Sequence, residues 1–411
     1  MKGIRDILVQ LTRSGPRWPR LTIYTIVFFA VFGDFIASDI PLYCKVNDTV
    51  YLPLIKSAFV NMGAATWEED LSGGNWKSIN YQKVAYTLIP YSPSGIDSKN
   101  GNFRSPFGEQ NVINWRFRHW LGTDALGRDV AAGMIRGCRI ALIVGLFSMF
   151  IALLIGVPFG AIAGYFGDDR KLKAIPVMIT WVVAVTCACW YFGQSVVLSL
   201  KHDMTGRALL MFLIGSAILA IGWAVDRLIS QRLPDRWLRG MPVDFTVLRG
   251  VEIVRSMPAF FLLFALLALI ASPSIIYVVL LIGLLRAPTI VRYVRAETMK
   301  IRDLGYIDAA RVIGLNDLQI IRRHIVPNVM GPVMITVAFG IGGAVLLESG
   351  LSFLGIGLSI DQMSWGRLLN EARSNFSAWW LAVLPGLAIF ATVAAFNRIG
   401  EDLTTVLEHG R

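Results

Sequence analysis

Side chains able to do covalent or metal chemistry are few in this 411-residue chain and poorly placed for it. His119, His202, His324 and His409 are scattered, with no hydrolytic or metal-binding motif around any of them. Cys187 and Cys189 sit in an apolar run without a nearby histidine, which reads as buried thiols rather than a metal site. No Gly-x-x-x-x-Gly-Lys-Ser/Thr occurs, so the chain carries no phosphate loop of its own. Asp34, Arg286 and Glu348 fall inside or beside apolar runs, where a charge is costly unless it is paired or faces water. Arg286 and Asp34 read as near enough to opposite ends of their runs to reach the interface. Glu348 reads as a pore or gate contact, the alternative being an exposed helix end. Nothing here makes an enzyme, and the expected chemistry is movement of a solute rather than its conversion.

The elements that position these residues follow from composition. The chain is 55% hydrophobic and 16% charged, with a mean hydropathy of +0.57, whereas a soluble domain is roughly 25% charged. Crossing the roughly 30 Å hydrocarbon core takes about 20 helical residues. Apolar runs approaching that length lie at about 21–36, 140–165, 174–198, 209–224, 257–271, 275–291, 329–351 and 378–396. They are continuous, without strand alternation, so the expected fold is an all-α polytopic bundle of about eight transmembrane helices, not a barrel. The net charge of +11 suggests nucleic acid or membrane orientation, and the placement of the cations favours orientation. Lys2, Arg5, Arg13, Arg17 and Arg20 precede the first run. Arg170, Lys171 and Lys173 follow the second, Arg227, Arg232, Arg236 and Arg239 the fourth, and Arg292, Arg295, Lys300 and Arg302 the sixth. The positive-inside rule places all of these, and both termini, in the cytoplasm. Ile36-Ala37-Ser38 is a weak cleavage-site match, so the first run is read as a retained anchor rather than a signal peptide.

Residues 39–135 form the one long polar segment, placed outside by this topology. Gly73-Gly74, Pro90, Pro93 and Pro106, with scattered Tyr and Trp, predict turns and short strands there. Touching a partner and capping a pore mouth are equally compatible with it. Cys44, its only cysteine, has no disulfide partner within the segment. On the other side, Tyr306 to Ile313 predicts a helix stopped by Gly314 as a left-handed cap. Asn316, with Gln319 three residues on, predicts a capping box opening a second short helix toward His324, with Pro327 at the start of the next span. Leu304, Ile307, Ala310 and Ile313 supply an apolar stripe at helical spacing. The pattern fits an ordinary interfacial amphipathic helix as well as a coupling element. Gly156, Gly160 and Gly164, around Pro158, read as a close helix-packing face.

The 308–327 segment resembles the loop that marks permeases of binding-protein-dependent ABC importers: Glu-Ala-Ala, three residues, Gly, nine residues, Ile-x-Leu-Pro. Asp308 stands for Glu, Ala309, Ala310, Gly314 and Pro327 match, and His324 and Val326 replace Ile and Leu. Leu121 to Asp129, including Gly122, Thr123, Asp124, Gly127, Arg128 and Asp129, resembles the Leu-Gly-Thr-Asp-x-x-Gly-Arg-Asp segment of the dipeptide and oligopeptide branch. Gly137-Cys138-Arg139-Ile140-Ala141-Leu142, Glu348 to Gly357, Ser364-Trp365-Gly366 and Asn397 to Leu403 are similar to further segments of that branch. The resemblance covers about 124–403 and is broken by an insert at about 168–241 that holds two of the apolar runs.

The resemblance implies a type I importer core of six helices plus an inserted pair. The implied divisions are 1–38 (N-terminus and first span), 39–135 (external), 136–167 (second span), 168–242 (a peripheral hairpin) and 243–411, a permease core with its coupling loop at 300–327. It also implies peptides or related solutes as cargo, cytoplasmic ATP-binding subunits that receive the 308–314 helix, a second homologous permease subunit, an external substrate-binding protein and a bacterial inner-membrane location among lipid. The expectation is no nucleic acid and no cofactor in this chain, with ATP held by the partners. Asp308 would carry the polar contact, Ala309 and Ala310 the close docking, and Gly314 the turn. A secondary transporter would instead need mid-membrane coupling residues and inverted repeats, which the sequence does not offer. A membrane scaffold with a degraded coupling loop is the remaining alternative.

Overall fold

The computed structural model describes residues 16–408 apart from 62, 65, 68–75, 78, 80, 113, 169–183, 185–186, 188–189, 192–194, 196–204, 233–241, 271–273, 358 and 360–361. Five helices are long and apolar enough to cross a membrane: α1 (Trp18–Ile36), α3 (Val130–Phe166), α7 (Ile275–Arg302), α9 (Asp317–Phe353) and α11, whose helix runs Trp380–Glu408. α5 (Val243–Arg255) and α6 (Ala259–Ala268) meet at a 74° bend and together make a sixth candidate, either a broken span or a re-entrant loop. Ser256-Met257-Pro258 makes that bend, because Pro258 cannot donate a backbone N–H and holds the chain extended before α6. The count of eight therefore becomes five or six among the described residues. The run at 174–198 falls largely outside them, and 209–224 lies within α4 (Thr205–Arg232), whose apolar stretch Leu209–Val225 is shorter than a span. Several spans also outrun their apolar stretch. α7 continues through Arg292 and Arg295 to Arg302, which puts Arg286 in the helix middle instead of near its end.

α3 and α7 pack along most of their length because one side of α3 is nearly bare. A Cβ on Gly156 would meet Ile290 at 2.5 Å, one on Gly160 would meet the Val291 carbonyl at 2.6 Å, and one on Gly164 would meet the Arg295 carbonyl at 2.7 Å. The four-residue glycine spacing is thus a rail on which the α7 backbone rides, as in small-residue packing generally. Around the rail, Met149, Ala152, Ala161, Ile290, Val294, Val333 and Val337 form the main buried cluster. The same face of α9 carries Gly340, against Met149, and the opposite face carries Gly342, against α11 at Val393. At one end of α3, Asp244 pairs with Arg295, fixing the start of α5 to α7, and Arg302 donates to the Gly164 carbonyl at 3.2 Å.

The opposite end carries the polar segment between α1 and α3. Its turns and short strands include β1 (Tyr43–Val46), β2 (Thr49–Tyr51), β3 (Lys83–Ala85) and the short helix α2 (Pro53–Asn61). The sheet is antiparallel in order β2-β1-β3, with Cys44 opposite Tyr51 and Val84. Cys44 is buried against Val46 and Trp76 as a free thiol. Gly160→Leu would push the α7 backbone off the rail and is expected to destabilise the bundle by roughly 3 kcal/mol or more. A lowered thermal midpoint of the detergent-solubilised chain measures it, and a midpoint equal to wild type counts against the rail.

Candidate functional site

Two constructions stand at opposite ends of the bundle. The first is an elbow between α7 and α9. Helix α8 (Gly305–Val312) leaves α7 through Asp303 and Leu304 and stops where the sequence predicts. Gly314 adopts φ +91°, its N–H donates to the Arg311 carbonyl at 3.0 Å, and the Leu315 N–H donates to the Ala310 carbonyl at 3.2 Å. This is the Schellman arrangement, in which a left-handed residue lets the last carbonyls find donors. A Cβ on Gly314 would meet nothing within 4 Å, so the demand for glycine is conformational and not steric. The capping box is present in both directions: the Gln319 N–H donates to Asn316 Oδ1 at 2.9 Å and the Asn316 N–H to Gln319 Oε1 at 3.1 Å.

Beyond that cap the expected separate second helix is absent. Asp317–Ile320 runs through a single π-helical stretch, Ile321–Ile325, directly into the long helix beginning at Val326. Pro327 sits in the first turn of that α-helical stretch, where its missing N–H follows the wider π turn at little cost. The elbow is therefore one short helix braced on the foot of a span. Its brace is Ile307 and Ala310, buried against Ile320, Ile321, Ile325 and Tyr165. Tyr165 donates to Asp317 Oδ1 at 2.9 Å, and the Arg311 guanidinium lies 5.4 Å from the Tyr165 ring centroid.

Burial corrects two roles. Ala310 faces inward and is part of the brace, whereas Ala309 and Asp308 are exposed. Ile313, expected on the buried stripe, is 81% exposed, next to Val312 at 88% and across from Leu318 at 72%. Asp308 pairs with Arg311 at 2.8 Å on the exposed face, an arrangement that contributes little stability. The elbow thus ends in an apolar tip, Val312, Ile313 and Leu318, which stands free of the bundle.

The second construction gathers sequence motifs that lie far apart in the chain. Asp124 Oδ1 accepts from the N–H groups of Leu126 and Arg128 at 2.9 Å each, and its Oδ2 accepts from Arg128 Nε at 2.6 Å. Arg128 also reaches Glu371 of α10 (Trp365–Ala372) at 3.5 Å. Asp129 caps α3 by accepting from the Ala132 N–H at 2.8 Å. The Thr123 hydroxyl donates to the Asn100 carbonyl at 2.8 Å, and the Thr123 carbonyl accepts from Trp380 Nε1 of α11 at 3.2 Å. Gly122 and Gly127 take φ +78° and +85°. A Cβ on Gly122 would meet the Arg104 carbonyl at 2.7 Å and one on Gly127 would overlap the Asp97 carbonyl, so both tight turns need glycine. Trp365 fills the space beside Gly137 and donates to the Met134 carbonyl at 3.0 Å, while Gly366 presses on Ser349. Glu348 is buried, accepting from Ser352 at 2.7 Å, so the reading of an exposed helix end is set aside.

His119 is the member that sequence reading missed, since it belongs to no motif of its own. It is fully buried, with Nδ1 2.8 Å from Asp129 Oδ2, Nε2 3.4 Å from Asp97 Oδ2 and its ring stacked on Tyr91 at 4.0 Å. The available signal was its position two residues before the Leu121–Asp129 segment. Burial raises the Asp97 carboxyl, but hydrogen bonds from Asn100, His119 and the Lys99 N–H outweigh it and hold Asp97 below the usual carboxylate range. Asp34, at the same end, pairs with Arg139 at 2.9 Å. Among the described residues no group of three or more His, Cys, Asp or Glu side chains is arranged to hold a metal ion.

A mainly helical bundle of five or six candidate spans among the described residues, with an apolar-tipped elbow at one end and a hydrogen-bonded clamp at the other, fits a polytopic membrane protein. Residues 237–407 match the family described as binding-protein-dependent transport system inner membrane component. The glutathione transport system permease protein GsiD of Pectobacterium atrosepticum is 29% identical over 291 residues, which is 71% of this chain and 72% of the relative. The dipeptide transport system permease protein DppC of Alkalihalophilus pseudofirmus is 26% identical over 71% of each chain. GsiD of Escherichia coli is 28% identical over 74% of this chain and 78% of its own. Residues 237–407 thus carry the permease domain, the chain resembles peptide-type ABC permeases over about 71% of its length, and its function is that of a permease subunit.

Because a depressed carboxyl stabilises the fold above its unfolded value and loses that contribution as pH falls through its folded value, Asp97 should make the clamp acid-labile below about pH 4. Limited proteolysis of 39–129 between pH 7 and pH 3 should show a rise in cutting that Asp97→Asn flattens. An identical profile in the two proteins would remove Asp97 from the clamp. Asp124→Ala leaves the buried Arg128 short of its main partner and should cost about 3–5 kcal/mol, read as increased cutting at pH 7.

Proposed function

We propose that this permease imports peptides or related small solutes, in the class its relatives are named for, and that ATP is hydrolysed by separate subunits that grip the elbow. The observation that carries the reading is the tip Val312, Ile313 and Leu318, which leaves large apolar side chains in solvent on a helix whose other face is fixed by Ile307 and Ala310. A rigid apolar knob of this kind suits insertion into a groove of a soluble partner and transmits displacement, because its brace is continuous with α3 and α9. Gly314 sets the angle of the knob, Ala309 leaves room beside it, and Asp308 with Arg311 gives it a polar rim. The π turn before Pro327 is the joint through which motion of the elbow reaches α9.

In the same reading, the elbow and both termini are cytoplasmic and the clamp is external. Arg292, Lys300, Arg302, Arg322 and Arg323 crowd the elbow end, in accord with the positive-inside rule. A second permease subunit completes the pathway, an external binding protein delivers the solute to the clamp face, and no cofactor is held by this chain. Glu348, tied to Ser349 and Ser352 under the clamp, serves as a gate contact rather than a pore-lining charge.

Ile313→Asp keeps the brace and places a charge on the tip. It should lower the ATPase recovered with the purified permease roughly thirtyfold, the equivalent of about 2 kcal/mol for a central interface residue. Gly314→Val, which forces a β-branched residue to φ +91°, should leave ATP hydrolysis uncoupled from uptake or abolish the association. Full uptake without any ATPase present would overturn the reading.

A further inference from the structure

Arg286 is a cation in the middle of a span with no counter-ion among the described residues. It lies in the middle of α7 and its guanidinium rests on Gly343, in the middle of α9, where a Cβ would overlap it. Its Nε is buried without an acceptor, and among the described residues the side chain makes no hydrogen bond or ion pair. The sequence offers no carboxylate at this depth on the core helices. α3 and α6 have none, the acids of α7 and α9 are Glu297, Asp317 and Glu348 near their ends, and those of α11, Glu401, Asp402 and Glu408, lie in its last turns. An arginine at the bilayer centre costs about 3 kcal/mol or more when it faces lipid and persists where it faces water or finds an anion. Gly343 makes the seat, and Leu346, three residues on along the same side of α9, is exposed, so this side of α9 is left uncovered by the described residues.

We propose that Arg286 lines the solute pathway and makes a transient, two-pronged contact with a carboxylate of the passing solute, selecting anionic or zwitterionic cargo over cationic cargo. This rests on the importer reading and adds to it the charge class of the cargo. The guanidinium fork matches a carboxylate in geometry, and a moving counter-ion explains why no fixed acid faces it. Gly343 acts as the positioning residue, because any side chain there would displace the guanidinium.

The test uses the assembled importer in lipid nanodiscs, with Leu346→Cys as reporter and the native cysteines replaced. The probes are the anionic 2-sulfonatoethyl and the cationic 2-(trimethylammonium)ethyl methanethiosulfonates. Both should react, and the ratio of anionic to cationic rates should fall roughly tenfold in Arg286→Gln, as expected for removing one charge a few ångströms away in water. Arg286→Lys should keep most of the ratio, and Gly343→Ala should lower it by a smaller factor, which serves also if Arg286→Gln does not assemble. No reaction with either reagent, as for a face turned to lipid or sealed by an acid of the second subunit, overturns the proposal, and so does an unchanged ratio. ATP hydrolysis measured on the same preparations reports separately on the importer reading: its absence counts against coupling, while the rate ratio still decides Arg286.

Discussion

The close approach of α3 and α7 is the contact on which the rest of the molecule hangs. In lipid there is no hydrophobic force to press helices together, so association depends on surfaces that fit. Gly156, Gly160 and Gly164 supply such a surface by removing every side chain from one line of α3. The elbow is built on the far end of the same two helices, through Tyr165 on α3 and the exit of α7 at Arg302. The clamp is built on the near end, through Asp129 as the cap of α3. A shift along the rail would move both constructions together.

That geometry explains why polar chemistry is concentrated at the two ends. Asp124, Arg128, Asp129, His119 and Thr123 are all buried, and each is hydrogen-bonded into turns that only glycine at 122 and 127 can make. A buried ionic knot is stable only when every member is satisfied, and removal of one partner leaves an uncompensated charge. At the other end the elbow uses the reverse design. Its polar contacts, such as Asp308 with Arg311, are exposed and weak, while its fixed part is wholly apolar. The clamp resists movement by chemistry, and the elbow transmits movement by packing.

Legibility in the sequence followed the range of the interactions. The stop at Gly314 and the capping box at Asn316 and Gln319 are set by residues a few positions apart, and both stand as predicted. The merger of the second short helix with α9 was not legible, because a helix that continues through a π turn has the same local pattern as one that ends. The outward turn of Ile313 was hidden for a similar reason: Leu304, Ile307, Ala310 and Ile313 share a spacing, but the Schellman turn ends the helix before Ile313 can join the buried face. His119 escaped notice because its partners, Asp97 and Asp129, are brought to it by the fold of the polar segment and not by sequence spacing.

By itself, the sequence determined that the chain is a helical membrane protein, where the caps at Gly314 and Asn316 fall, and which permease family its motifs resemble. Those properties depend on composition and on neighbours along the chain. Only the tertiary structure decided that the dispersed motifs converge in one clamp, that Ala310 braces the elbow while Val312 and Ile313 form its tip, and that Arg286 sits at mid-depth against Gly343. Each of these depends on which helix faces which, and that is fixed by the fit of side chains across the bundle, a property no single stretch of sequence contains.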